Sequence, residues 1–363
     1  MHLSAGPKLK AALILAALAV AVLLPFTLDN SIISLLIFAG LYTLVTVGLC
    51  LLMGYAGQIS LGQAAFYGIG AYSTAILTTR FAINPWLAML AGVVLAVAIS
   101  FVVGWPLLKL EKHYLALATL AFGLIVQLVI VEEAEITGGS SGISSIPRLS
   151  LGSFSFDNDF KFYFLVLGFA LIGSLLAGNI VNSRVGRALR AVHTSEVAAR
   201  SLAVPVNQIK TQVFALSAAY ASIAGSLFAH YISFVAPNSF GLLTSIDFLV
   251  MAVIGGMASI WGPITGALAV VFLRRLLQTV VPMFFPRASG EYEIIVFGLI
   301  LVAVMIFLPE GLFSGVKSIL SGRGLLKSRT LKLKNEGESV QIRVMEDEQD
   351  TGGQGNALGS QRS

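Results

Sequence analysis

Residues 31–72 read "SIISLLIFAGLYTLVTVGLCLLMGYAGQISLGQAAFYGIGAY". The first part, up to Met53, is apolar for long enough to cross a hydrocarbon layer as a helix. The second part places five glycines (Gly54, Gly57, Gly62, Gly68 and Gly70) and two glutamines (Gln58 and Gln63) directly after it. A membrane span that runs into such a stretch must either break there or pack very closely against another helix.

The rest of the chain agrees with a bilayer as its solvent. Of 363 residues, 56% are hydrophobic and only 11% are charged, with a mean hydropathy of +0.88. Between Ser31 and Val131 the only charged side chains are Arg80, Lys109, Glu111 and Lys112. The expected class is an all-α polytopic membrane protein of about eight to ten spans with glycine-broken segments. The candidate spans are 11–28, 31–53, 64–79, 85–108, 113–131, 161–181, 212–232, 247–261, 263–281 and 291–308. The first of these, preceded by Lys8 and Lys10, can also be read as a signal peptide, but many spans follow it. Two segments strain the ten-span reading: 247–261 is short and contains Gly255 and Gly256, and Arg274 and Arg275 fall inside 263–281. Those arginines must snorkel toward the surface and face protein, or the helix must end early.

Lysine and arginine fix the expected orientation. Arg184, Arg187, Arg190, Arg200 and Lys210 occupy the 182–211 loop, Lys109 and Lys112 the 109–112 turn, and many more open the tail after Pro309. In a ten-span chain these share one side with the N-terminal lysines, which makes that side cytoplasmic. The 132–160 loop, with Glu132, Glu133, Glu135, Asp157 and Asp159, is then the outer one. The expected organisation is a cytoplasmic N-terminus (1–10), a transmembrane domain (11–310) and a cytoplasmic tail (311–363). The polar, mixed-charge composition of the tail points to a largely disordered segment, or to a docking piece that pairs "LKLK" and "VQIRV" as short strands.

Several chemistries lack their residues. No H-E-x-x-H, no Cys or His cluster at metal spacing and no phosphate loop is present. A lone cysteine, Cys50, reads as a packing residue. The four histidines lie near expected helix ends, as interfacial residues rather than ligands. No carboxylate sits clearly at a membrane centre, where an ion-driven carrier keeps one. The chain therefore reads as a passive pore or as a carrier driven by another subunit, and not as an enzyme or a nucleic-acid binder.

Two features bear on transport. Gly57-Gln58-Ile59-Ser60-Leu61-Gly62 is loosely echoed by Gly256-Met257-Ala258-Ser259-Ile260-Trp261-Gly262, and paired breaks in two halves mark inverted-repeat transporters. Ser60 and Gln63 have capping-box spacing, which predicts a new helix from Leu61 with its positive end open to a carboxylate. The alternative is that the glycines serve only close helix packing. In the basic loop, Ser195 reads as the cap of a short helix over 195–203 that Pro205 stops. Its alanines leave room for another backbone.

The stretches "GYAGQISLGQAAFYGIGAY", "ITGGSSGISSIP", "GRALRAVHTSEVAARSLAVPVNQIKTQVFALSAAYASIAGSLFA" and "VIGGMASIWGPITGA" together resemble the LivM-type permease of branched-chain amino acid ABC importers. The resemblance covers roughly residues 30–310. It implies a bacterial inner-membrane subunit with both termini cytoplasmic. Its partners would be a LivH-type permease, two cytoplasmic ATPases that carry the ATP and Mg²⁺, and an outer solute-binding protein; this chain itself would bind no cofactor. The implied substrate pathway takes in Gly57, Gln58, Ser60, Gly62, Gln63, Tyr67 and Ser259. The implied ATPase-coupling segment is Glu196, Ala198, Ala199, Arg200, Ser201, Leu202 and Ala203. Two positions depart from the pattern: Ala203, where glycine is common, and Gln63, where many relatives have histidine. Permeases with similar motifs carry urea, short amides or aromatic acids, and a stand-alone channel for a small polar solute is the rival from another class.

Overall fold

The computed structural model describes residues 19–110, 112–152, 154–257, 259–284, 291–307 and 311–313. The expected N-terminus 1–10, the first part of span 11–28 and the tail beyond Phe313 lie outside them.

From residue 30 onward each expected span has a helix. The first, α1 (Asn30–Cys50), widens into a π-turn over Leu51–Tyr55 and stops. Then come α2 (Gln63–Thr79), α3 (Pro85–Leu107), α4 (Lys112–Glu132) and α5 (Asp159–Asn182). The basic loop folds into α6 (Arg184–Thr194) and α7 (Glu196–Ser201). The chain returns as α8 (Val206–Ile232), α9 (Leu242–Gly255), α10 (Gly262–Phe284) and α11 (Glu291–Phe307). Among the described residues six helices are long and apolar enough to cross a membrane, and α9 and residues 295–304 of α11 are shorter apolar segments.

Burial separates a centre from a rim. The spans Asn30–Tyr55 and Val206–Ile232 are 72% and 78% buried, against 17–33% for α3, α4, α5 and α10. The rim helices turn apolar side chains such as Leu90, Val102, Leu117, Leu128 and Leu175 outward, as lipid requires.

The centre is held by small residues and hydroxyls, because apolar surface alone does not drive helices together in lipid. Along α2 and α8, Ser226 Oγ donates to the Gly70 carbonyl at 3.0 Å, Thr74 Oγ1 to Ser226 Oγ at 2.8 Å and Gln63 Nε2 to Ser217 Oγ at 2.9 Å. A Cβ at Gly70 would lie 2.2 Å from the Ser222 oxygen, so the two backbones touch.

At one end of the bundle lie two short strand pairs, β1 (Ile143–Ser144) with β4 (Phe234–Val235) and β2 (Ser150–Leu151) with β3 (Phe154–Ser155). Trp86 Nε1 donates to the Ser150 carbonyl there at 2.7 Å. His230 is buried beneath the same loops, its Nδ1 2.6 Å from the Pro147 oxygen, rather than interfacial. The other end gathers the 108–110 turn, α6, α7 and the start of α8.

Two boundaries differ from expectation. The span drawn at 212–232 begins at Val206, because the polar first turn, with Asn207 and Lys210, is seated on α6 and α7 and an apolar window excludes it. The span drawn at 247–261 runs from Leu242 to Gly255 and ends where Gly256 takes φ +102°. Arg274 faces protein: its Nη2 lies 2.9 and 3.0 Å from the Asp247 carboxylate oxygens.

Candidate functional site

After the π-turn, Gly57 takes φ +69°, a left-handed conformation, and α2 does not restart until Gln63. The expected capping box does not form. Ser60 Oγ accepts from the Gly62 N–H at 3.4 Å, and the Gln63 amide turns away to Ser217. The helix end is instead capped by its neighbours: the Leu61 N–H donates to Thr119 Oγ1 on α4, and the Ala64 N–H to Ser245 Oγ on α9, both at 3.0 Å. Local spacing lost because three helices meet here and two hydroxyls from elsewhere reach the free N–H groups first. The positive end of α2 is thus closed by neutral groups.

The break is buried yet under-satisfied. Gln58, Ser60, Gln63 and Tyr67 are each 3% exposed or less. Both amide atoms of Gln58, the Gln63 Oε1 and the Tyr67 hydroxyl have no partner among the described residues. Buried polar atoms are normally paired, so such a group invites a ligand or water. Gly62 is tight as well, since a Cβ there would lie 2.6 Å from the Thr119 oxygen.

The second break lies directly against the first. Gly256 has positive φ and α10 restarts at Gly262, with Ser259 bridging the gap: its Oγ accepts from the Trp261 N–H at 3.4 Å and its carbonyl from the Gly262 N–H at 3.0 Å. Ser259 therefore shapes its own turn. A Cβ on Gly54 would sit 2.2 Å from the Met257 oxygen. Cys50, one turn earlier on α1, donates its thiol to that same oxygen at 3.3 Å. The thiol is more than filler: it serves a carbonyl that the break leaves without a helical partner.

The basic loop is an elbow of two helices. In α6, Gly186, Leu189 and Val192 are buried while Arg184, Arg187 and Arg190 are exposed, an amphipathic pattern with a three-residue step. Ser195 caps α7 as expected, accepting from the Ala198 N–H at 3.3 Å. The short helix ends at Ser201, before Pro205, which itself sits at the N-cap of α8. Glu196 pairs with Lys210, whose side chain is 6% exposed, and lies 3.9 Å from Arg200. Ala199 is buried against Val192 and Val206 and locks the elbow, so it offers no surface to a partner. Ala198, Arg200, Ser201, Leu202 and Ala203 are exposed. The largest apolar projections are Val197 and Leu202, 77% and 74% exposed, and Val197 was not among the expected contacts. A cleft of about 340 Å³ opens between the elbow and the 108–110 turn.

Ala203 takes φ +57°, in the left-handed region where glycine carries no penalty and other L-residues lose about 1–2 kcal/mol. Ala203→Gly should therefore be neutral or slightly stabilising. Ala203→Val should destabilise the elbow by about 1–2 kcal/mol, because a β-branched residue is an outlier at that φ. Thermal unfolding of the two variants in detergent measures the difference.

His193 joins the elbow to the first break: its Nδ1 lies 3.0 Å from the Gly54 carbonyl oxygen, and a Cβ on Gly57 would lie 3.0 Å from its ring. Nothing local in the sequence connects residues 54 and 193, so this link comes from the fold.

Comparison with known proteins identifies the family. The family described as branched-chain amino acid transport system, permease component, matches residues 31–305. The high-affinity branched-chain amino acid transport system permease protein LivM of Escherichia coli K12 is 34% identical over 85% of this chain and 76% of its own length. LivH of the same organism is 24% identical over 75% of the chain and 90% of its own. The BraD permease protein of Pseudomonas aeruginosa is 26% identical, over 75% and 91%. No solved structure matches the chain. With three quarters of its length inside the family match and its glycine-broken helices packed together at one end of the bundle, the chain belongs to the family of permease components of branched-chain amino acid transport systems.

Proposed function

We propose that this chain is the LivM-type subunit of an ABC importer in a bacterial inner membrane. It pairs there with a LivH-type permease and carries branched-chain amino acids inward. Two cytoplasmic ATPases, which hold the ATP and Mg²⁺, drive it, and an outer binding protein delivers substrate.

The observation that carries this reading is the elbow. Val197 and Leu202 project from a short helix braced by the Glu196–Lys210 pair and tied through His193 to the broken end of α1. A helix that is rigidly held and apolar at its tip is suited to receive force from another protein, and a channel has no use for it. The charge distribution supports cytoplasmic placement of the elbow. Arg184, Arg187, Arg190 and Arg200 lie at its end of the bundle, and Glu132, which ends α4, with Glu133 and Glu135 after it, lies at the other.

The test is leucine uptake by the chain reconstituted with the neighbouring permease, the ATPases and the binding protein. Uptake is expected only with ATP and with all subunits. Rapid equilibration of leucine through the purified chain alone in liposomes would instead make it a facilitator. ATP-driven uptake of urea or an amide without leucine would move it to the urea and amide branch.

A further inference from the structure

Asp247 and Arg274 are absent from the expected pathway, yet they line a cavity with Tyr42, Tyr67, Phe228, Phe248 and Met251. Arg274 lies near the midpoint of α10, where charge in lipid is costly and marks function or a buried partner. Its side chain is 43% exposed and that of Asp247 23%, so the pair opens on one side. That side cannot face hydrocarbon and must meet water or protein. Only Nη2 of Arg274 contacts Asp247. The remaining guanidinium N–H groups have no hydrogen-bond acceptor among the described residues, while the cation rests over the Phe297 ring, 5.1 Å from its centroid.

We propose that this cavity is a binding site for a zwitterionic amino acid with an apolar side chain: its carboxylate on the free N–H groups of Arg274, its ammonium on Asp247, its side chain against Phe228, Phe248 and Met251. Two opposite charges in contact match two opposite charges on one carbon, and the guanidinium fork favours a carboxylate. An uncharged urea or amide gains little from either. The cavity volume is about 150 Å³, and an apolar cavity of about that size accepts a benzene molecule, so a side chain of a few carbons fits. An independent observation points the same way. Tyr67 is 1% exposed and its hydroxyl has no partner, although it stands in an aromatic cluster with Phe228 and Phe248 on the cavity wall. Tyr67 lies one helical turn beyond Gln63 on α2, so the site continues the polar face of the first break.

This inference rests on the importer reading, and two measurements separate them. Saturation-transfer NMR on the purified full chain in nanodiscs compares L-leucine with 4-methylpentanoate, which lacks the ammonium, and 3-methylbutylamine, which lacks the carboxylate. Leucine should bind at least about tenfold more tightly than either, the factor expected when one charge-assisted contact is lost. Asp247→Asn should abolish the preference over the acid. Tyr67→Phe should weaken leucine several-fold, and because its hydroxyl is unpaired in the free chain, this variant folds even where Asp247→Asn does not. Equal binding of all three compounds, or an unchanged leucine affinity in Tyr67→Phe, would leave Asp247–Arg274 a structural ion pair and end the proposal. Leucine binding without ATP-driven leucine uptake by the complete transporter would keep the site and refute the importer.

Discussion

Gly225→Ala, the addition of one methyl group, should remove most of the folded chain from membranes, while Gly168→Ala should leave its amount undiminished. In a free helix both substitutions would stabilise by about 1 kcal/mol, because alanine is the better helix former. On α8, however, a Cβ at residue 225 would stand 1.9 Å from the Tyr67 carbonyl oxygen and 3.1 Å from the Ala71 nitrogen. These are backbone atoms of α2, and no side chain can rotate to make room. The helices would have to separate, which breaks the Gly70–Ser226–Thr74 and Gln63–Ser217 hydrogen bonds together. Overpacking typically costs about 1–3 kcal/mol where side chains can yield. Here the cost should exceed that range, against a total stability of about 5–15 kcal/mol for ordinary domains. Gly168, on α5, has nothing within 4 Å of its would-be Cβ. The readout is the monodisperse fraction after detergent extraction. Equal yields would mean that α2 and α8 are not in backbone contact.

Val197→Asp combined with Leu202→Asp should abolish ATP-driven uptake while leaving the amount of extracted chain unchanged. Both side chains are about three-quarters exposed, and surface substitutions are usually within about 0.5 kcal/mol. If the two residues anchor a motor, placing carboxylates at the contact removes an interface hot spot worth about 2 kcal/mol or more each. The ATPases should then fail to co-purify. Glu196→Ala should behave differently, because it leaves the nearly buried Lys210 ammonium without its carboxylate; with Glu196 itself a third exposed and water at the pair, the loss should be about 1–3 kcal/mol. That variant should lower the amount of folded chain. Combining Glu196→Ala with Arg200→Ala would therefore confuse unfolding with uncoupling, whereas the exposed pair isolates the coupling step. Full uptake by the double aspartate variant would remove the elbow from the drive mechanism.

Much of this architecture is readable from the chain alone, and the reason is local. Whether a segment can cross a bilayer depends on its own length and apolarity, so the spans from residue 31 onward were legible to within a few residues, apart from the polar start of α8 and the early end of α9. The break glycines were legible because left-handed backbone at Gly57 and Gly256 requires glycine. Ser195 was legible as a cap because its partner, the Ala198 N–H, lies three residues away.

What only the tertiary structure decided involves partners far apart in the chain. Thr119 and Ser245 cap α2 in place of Ser60, Cys50 serves the Met257 carbonyl, and His193 reaches Gly54. Ala199 turns inward and Val197 outward on one short helix. Asp247 and Arg274, each at odds with its own apolar helix, become a pair beside Tyr67. A helix's composition states that it will enter the membrane; which of its faces meets lipid, a neighbour or a cavity depends on packing against segments that can lie 207 residues away, and no local pattern encodes that.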